Sequence, residues 1–80
     1  MNLKPPFDRI TIESDKLGGQ PCIRGLRITV KRVLEVLAEY EDRRELFSDY
    51  PDLQAEDLKQ ALAFASAHLD ERIEILDYVS

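Results

Sequence analysis

The groups with the widest chemical reach in this chain are one thiol, one imidazole, sixteen carboxylates and eleven Lys or Arg side chains. Nucleophilic catalysis of the Cys-His kind needs a thiolate held beside a base. Cys22 and His68 supply one of each, but there is no second His and no Ser-His-Asp set. Cys22 stands among apolar neighbours and is expected to be a small buried hydrophobe. His68 falls late in a predicted helix, where an imidazole suits the negative end of the dipole. One Cys with one His does not make a structural zinc site. The carboxylates fall on predicted wet helix faces, and no pattern sets two of them across a cleft. The residues therefore point away from an enzyme: no catalytic residue, no cofactor and no metal are expected.

The cations carry a different message. Residues 1–32 hold a balance of +4 and residues 33–80 a balance of −9, within a net charge of −5. A basic front and an acidic rear suit two partners of opposite sign. Phosphate contacts supply most non-specific affinity for nucleic acid. Arg24, Arg27, Lys31 and Arg32 are the candidates for them, with Lys4, Arg9, Arg43 and Arg44 as helpers. In a helix-turn-helix the first turns of the last helix read base edges. Here that region offers Gln54 and Gln60, which suit adenine, and Lys59, which suits a phosphate. Glu56 and Asp57 in the same turns favour the helix N-terminus but repel phosphate. One domain brings few charges to DNA, so a homodimer is expected. The acidic rear ends in Ile73, Ile75, Leu76, Tyr78 and Val79, too apolar for a discarded end. These five are the candidate contacts for a basic protein partner.

The elements that must position these groups follow from local pattern. Arg9-Ile10-Thr11-Ile12 alternates and is rich in β-branched residues, which predicts a strand with Ile10 and Ile12 inward. Gly18-Gly19 permits a reversal through positive φ, and Gly25 marks a second bend or bulge. Between them Cys22-Ile23 suits a short buried strand, and Arg27 to Val30 alternates like a half-buried one. Thr29 can also cap a helix beginning at Val30. Val30, Val33, Leu34, Leu37 and Tyr40 then fall on one helical face, with Lys31, Arg32, Glu35 and Glu39 on the wet side.

The first helix should end near Tyr40–Glu41. Asp42 with Glu45 has the form of a capping box and predicts a second helix of about two turns. It carries Leu46, Phe47 and Tyr50, and Pro51 stops it. A third helix runs from about Ala55 to His68, with Leu58, Ala61, Leu62, Ala65 and Leu69 on its inner face and Phe64 flanking. Long, short, long with tight links matches a tri-helical helix-turn-helix. A generic helical bundle fits the same link lengths. The expected fold class is α+β, mostly α: short N-terminal strands plus a three-helix unit, homeodomain-like or winged-helix-like.

Eighty residues allow one domain, residues 1–80. Residues 1–8 are expected as an extended arm, because Pro5-Pro6 blocks a helix, and residues 70–80 as a partner-binding tail. A domain this size buries only about 60–65% of the surface its unfolded chain exposes, so it gains from a partner. Met1-Asn2-Leu3-Lys4-Pro5-Pro6 has no apolar core for a signal peptide, and no run approaches the ~20 apolar residues of a membrane span. With a single cysteine, a cytoplasmic location and no membrane partner are the expectation.

The string Gly19-x-Pro21-x-Ile23-x-Gly25-x-Arg27-Ile28-x-Val30, with Arg9-Ile10-Thr11-Ile12 ahead and Asp49-Tyr50-Pro51-Asp52-Leu53 behind, resembles a bacterial family over about residues 9–66. The family is the domain of unknown function numbered 433, a VapB-type antitoxin-like group. The resemblance implies small strands with a homeodomain-like helix-turn-helix. It also implies an antitoxin of a type II toxin-antitoxin system, which neutralises a PIN-like ribonuclease toxin and binds operator DNA. It brings no catalytic residues. The chain departs from the pattern at Leu26, where Thr is frequent, at Asp42-Arg43-Arg44, where Ser-Pro-Glu is frequent, and at Gln54, where Thr is frequent. The last departure bears on DNA reading by the third helix. The alternatives are a helix-turn-helix transcription regulator without a toxin and a dimeric protein-interaction module.

Overall fold

The computed structural model describes residues 3–15 and 17–69. Strand β1 (Ile10–Thr11) pairs antiparallel with β2 (Cys22–Ile23), Ile10 opposite Ile23 and Thr11 opposite Cys22. Three helices follow: α1 (Val30–Glu39), α2 (Arg43–Asp49) and α3 (Ala55–His68). The class is α+β and mostly helical. Among the described residues no helix is long and apolar enough to cross a membrane.

Local chemistry sets the helix boundaries. The Thr29 side chain accepts from the Arg32 N–H at 3.0 Å and starts α1. The Asp42 side chain accepts from the Arg44 N–H at 2.8 Å and starts α2. Caps of this kind stabilise a helix by ~1 kcal/mol each. Asp57 reaches back to accept from the Gln54 N–H at 2.8 Å and starts α3. Tyr50 and Pro51 form the turn between α2 and α3, closed by Leu53 N–H to the Tyr50 carbonyl at 3.0 Å.

The core gathers one set of apolar residues from every element: Ile10, Ile23, Val30, Val33, Val36, Leu46, Leu53, Leu58, Ala61 and Phe64. Helix α1 packs against α3. Two expectations change here. On α1, Val36 is fully buried while Leu34, Leu37 and Tyr40 are only half-buried, so the inner face is centred closer to Val33. On α3 the inner face is rotated. Phe64 is buried against Phe7, ring centroids 5.5 Å apart at 85°, while Leu62 is 48% and Leu69 73% exposed. Apolar residues surround α3 on several sides, so its own pattern left the rotation open, and the Phe7 contact favours this one.

Two further expectations are adjusted. The strand predicted over 9–12 shrinks to two residues, and Ile12 is half-buried beyond it. The arm, over its described residues, folds onto the domain. Phe7 N–H donates to the Lys4 carbonyl at 2.9 Å, and Leu3 and Phe7 pack against the core. The tail at 70–80, with Ile73, Ile75, Leu76, Tyr78 and Val79, lies outside the described residues.

Candidate nucleic-acid interface

The glycine-rich string builds a small hairpin with a basic tip. Pairing continues past β2: Ile23 N–H donates to the Ile28 carbonyl at 3.0 Å, and Cys22 bridges Thr29. The tip turn is closed by Leu26 N–H to the Ile23 carbonyl at 3.1 Å. Gly25 stands third in that turn with φ +80°, the position at which a type II turn needs positive φ. Arg24 and Arg27 flank it, both exposed. Val30 N–H then donates to the Pro21 carbonyl at 2.9 Å, which ties the hairpin to the start of α1.

Of the predicted contacts, the structure places Arg24 and Arg27 on this edge, while Lys31 stands in the first turn of α1. Arg24, Arg27 and Lys31 are exposed and make no ion pair or side-chain hydrogen bond among the described residues. Arg24 borders a cleft of about 330 Å³ shared with Arg9, Leu26, Asp52, Gln54 and Asp57, at the first turn of α3. Arg27 borders another with Tyr50, Pro51 and Leu53, at the turn between α2 and α3. The basic tip therefore stands beside the turn that leads into the last helix.

Arg32 is partly occupied inside the protein. It donates to Tyr50 Oη at 3.2 Å, Glu35 Oε1 at 3.3 Å and Glu39 Oε2 at 3.2 Å. These acceptors, Tyr50 first, push the guanidinium further above its usual range. Lys59 is exposed but lines a different groove, with Arg43 and Phe47 across from it on α2.

Gln60 is taken by the fold. It is 4% exposed. Its Oε1 accepts from the Arg9 N–H at 2.9 Å, and its Nε2 donates to Asp8 Oδ1 at 2.9 Å and Glu56 Oε2 at 3.1 Å. Reaching a base edge would break all three bonds and leave the Arg9 N–H unpaired, so Gln60 leaves the candidate set. Gln54 is likewise engaged, its Oε1 accepting from Arg9 Nη1 at 2.7 Å. Arg9 completes that cluster on Asp57 at 3.0 Å and so serves the fold before any phosphate. Sequence reasoning missed this cluster because its members lie 45 to 52 residues apart. The acid at the third position of α3 was its single local signal.

Cys22 is buried, its Sγ within 3.2 Å of the Gln20 carbonyl. His68 stacks on Phe64, centroids 4.2 Å apart, with Nδ1 2.9 Å from the Phe64 carbonyl. Cys22 borders a cavity of about 280 Å³ with Arg24 and Arg27, whereas His68 lies at the far end of α3.

The model of the family described as Protein of unknown function (DUF433) matches residues 10–65, from β1 into α3. The chain belongs to the DUF433 family. A solved DUF433 member, from Anabaena variabilis ATCC 29413, is 33% identical and superposes with a TM-score of 0.66. The superposition covers 75% of this chain and 59% of that one, so the chain spans less than two thirds of the other's length. A comparison with proteins of curated function gives no match. The DUF433 match contains the basic hairpin, all of α1 and α2, and the Arg9 cluster's partners on α3.

Proposed function

We propose that this DUF433 protein is an antitoxin of a type II toxin-antitoxin system. In this reading it neutralises a PIN-like ribonuclease toxin by direct binding and, as a homodimer, contacts operator DNA in the cytoplasm. The three helices act as a helix-turn-helix. One observation supports the DNA contact most: Arg24 and Arg27, beside the turn into α3, and Lys31 on α1 are exposed and unengaged among the described residues, while Arg9 and Arg32 are bonded to the protein's own acceptors. Sequence-tolerant phosphate contact needs cations of that kind. The toxin contact rests on the charge split and on the apolar residues Ile73, Ile75, Leu76, Tyr78 and Val79.

The toxin half has a direct test. The neighbouring reading frame is identified first; if it encodes a basic PIN-like chain, that chain is co-expressed with this protein and its ribonuclease activity is measured with and without this protein. Loss of cleavage with co-purification supports the reading. Undiminished cleavage, or a neighbouring frame of another kind, sinks the antitoxin half. The second reading, a helix-turn-helix regulator without a toxin, is favoured by the same basic edge. It gains if upstream DNA binds and no partner co-purifies.

A further inference from the structure

The outer face of α2 and α3 carries a groove of about 370 Å³, with Arg43 and Phe47 on one wall and Ala55, Leu58, Lys59 and Leu62 on the other. Its floor is apolar and its rim is cationic. Neither Arg43 nor Lys59 makes an ion pair among the described residues. Leu62, on its edge, is 48% exposed. A base-reading helix would turn polar side chains outward here. This one turns Ala55, Leu62 and Ala63 outward, with Lys59 as the single cation of its first turns.

We propose that this groove is the docking site for residues 70–80 of the same chain. Three observations point to that occupant. The first is charge: the segment holds Asp70, Glu71, Glu74 and Asp77 against the lone Arg72, opposite in sign to the rim. The second is apolar content: Ile73, Ile75, Leu76, Tyr78 and Val79 match the apolar lining of Phe47, Leu58 and, at its edge, Leu62. The third is direction and reach. Leu69 has extended backbone, φ −79° and ψ 132°, so the chain leaves the axis of α3 there instead of prolonging it. Leu62 lies about 10 Å back along the helix from Leu69. Residues 70–80 span up to about 36 Å when extended, enough to turn and run the length of the groove. The groove thus holds in reserve the residues that the proposed function offers to a partner, and a partner must draw them out to bind them. The docking itself needs neither the partner nor DNA.

Photo-cross-linking on the full chain tests this directly. Benzoylphenylalanine replaces Leu62, a half-exposed site that tolerates a large side chain. The isolated protein is irradiated over a range of concentrations, and the cross-linked peptides are mapped. The expected product migrates as a monomer at every concentration, with the cross-link inside residues 70–80. It is lost in the Leu76→Asp variant and weakened several-fold in Lys59→Glu, while the circular dichroism of both stays that of the parent. A cross-link confined to dimers would assign the groove to a second copy and overturn the proposal. Cross-links only outside 70–80, or none, would also overturn it. Because no DNA or partner is present, either failure leaves the antitoxin reading to its own test.

Discussion

The Arg9 guanidinium donates to the Asp57 carboxylate at 3.0 Å, and the Asp57 side chain is only 7% exposed. This bond joins the start of β1 to the first turn of α3. Asp57 serves two partners at once, since its other oxygen caps the Gln54 N–H. Removing Arg9 leaves a largely buried carboxylate with one partner fewer. Removing Asp57 loses the cap and the ion pair together. Arg9→Ala should lower stability by about 1–3 kcal/mol, and Asp57→Ala by more. Urea unfolding reads this as a lower midpoint at unchanged slope. Equal midpoints for parent and Asp57→Ala would show that the cluster is decorative.

The DNA reading makes a contrast between neighbouring cations. Each phosphate contact contributes about 0.9 to the slope of log affinity against log salt, so replacing Arg24, Arg27 and Lys31 by Ala should flatten it by about two to three. Arg32→Ala should change it far less, because that guanidinium is shared among Glu35, Glu39 and Tyr50. Titrations of a random duplex at several salt concentrations measure both. Equal losses for Arg32 and for the hairpin cations would refute the assignment.

Backbone strain at Leu17 gives a stabilising substitution. Leu17 has φ 49° and is 41% exposed, so its left-handed backbone is answered by little burial. Asn tolerates that region far better. Leu17→Asn should raise stability by about 0.5–1 kcal/mol, part of the roughly 1–2 kcal/mol that left-handed backbone costs an ordinary residue. Gly25→Ala should do the opposite. Nothing lies within 4 Å of the added Cβ, so its cost, about 1 kcal/mol, comes from φ alone. Thermal melts of the two variants should move in opposite directions.

Tyr40 sets the behaviour in alkali. Its hydroxyl donates to Asp49, and that bond, with some burial and the negative charge nearby, pushes the phenol from 10.0 up to about 12. The folded state therefore holds this proton more tightly than the unfolded chain does. The stabilisation is complete below pH 10.0 and is lost as pH rises through about 12. Tyr40→Phe should remove a tyrosinate absorbance step near pH 12 and shrink the loss of stability over that window. A lost step near pH 10.0 instead would show that the Asp49 bond does not hold in solution.

Much of this architecture was legible because it is local. Thr29 and Asp42 sit one residue before their helices and cap them, so type and spacing were enough. The Gly25 bend was equally visible, because one residue type supplies the required φ. The rotation of α3 was not legible. Leu58, Ala61, Leu62, Phe64 and Leu69 wrap its surface, and the choice of Phe64 over Leu62 was made by Phe7, far away in sequence. The engagement of Gln60 by the fold was not legible for the same reason. An exposed glutamine on a helix and one that holds Asp8 and the Arg9 backbone look alike until those residues arrive. Arg24, Arg27 and Lys31 were legible as exposed cations, whereas the engagement of Arg32 by Tyr50 required the fold.

The bonds from Asp8 and Arg9 to Gln60 also bear on how the molecule is made. The ribosome releases β1 and β2 first, and two paired residues per strand are too little sheet to persist unaided. The β1–β2 pair must wait for α3 to leave the exit tunnel before Gln60 can fasten the start of β1. Nascent chains stalled before that point should be open to proteases at their N-terminal end, and chains stalled well beyond it should resist them.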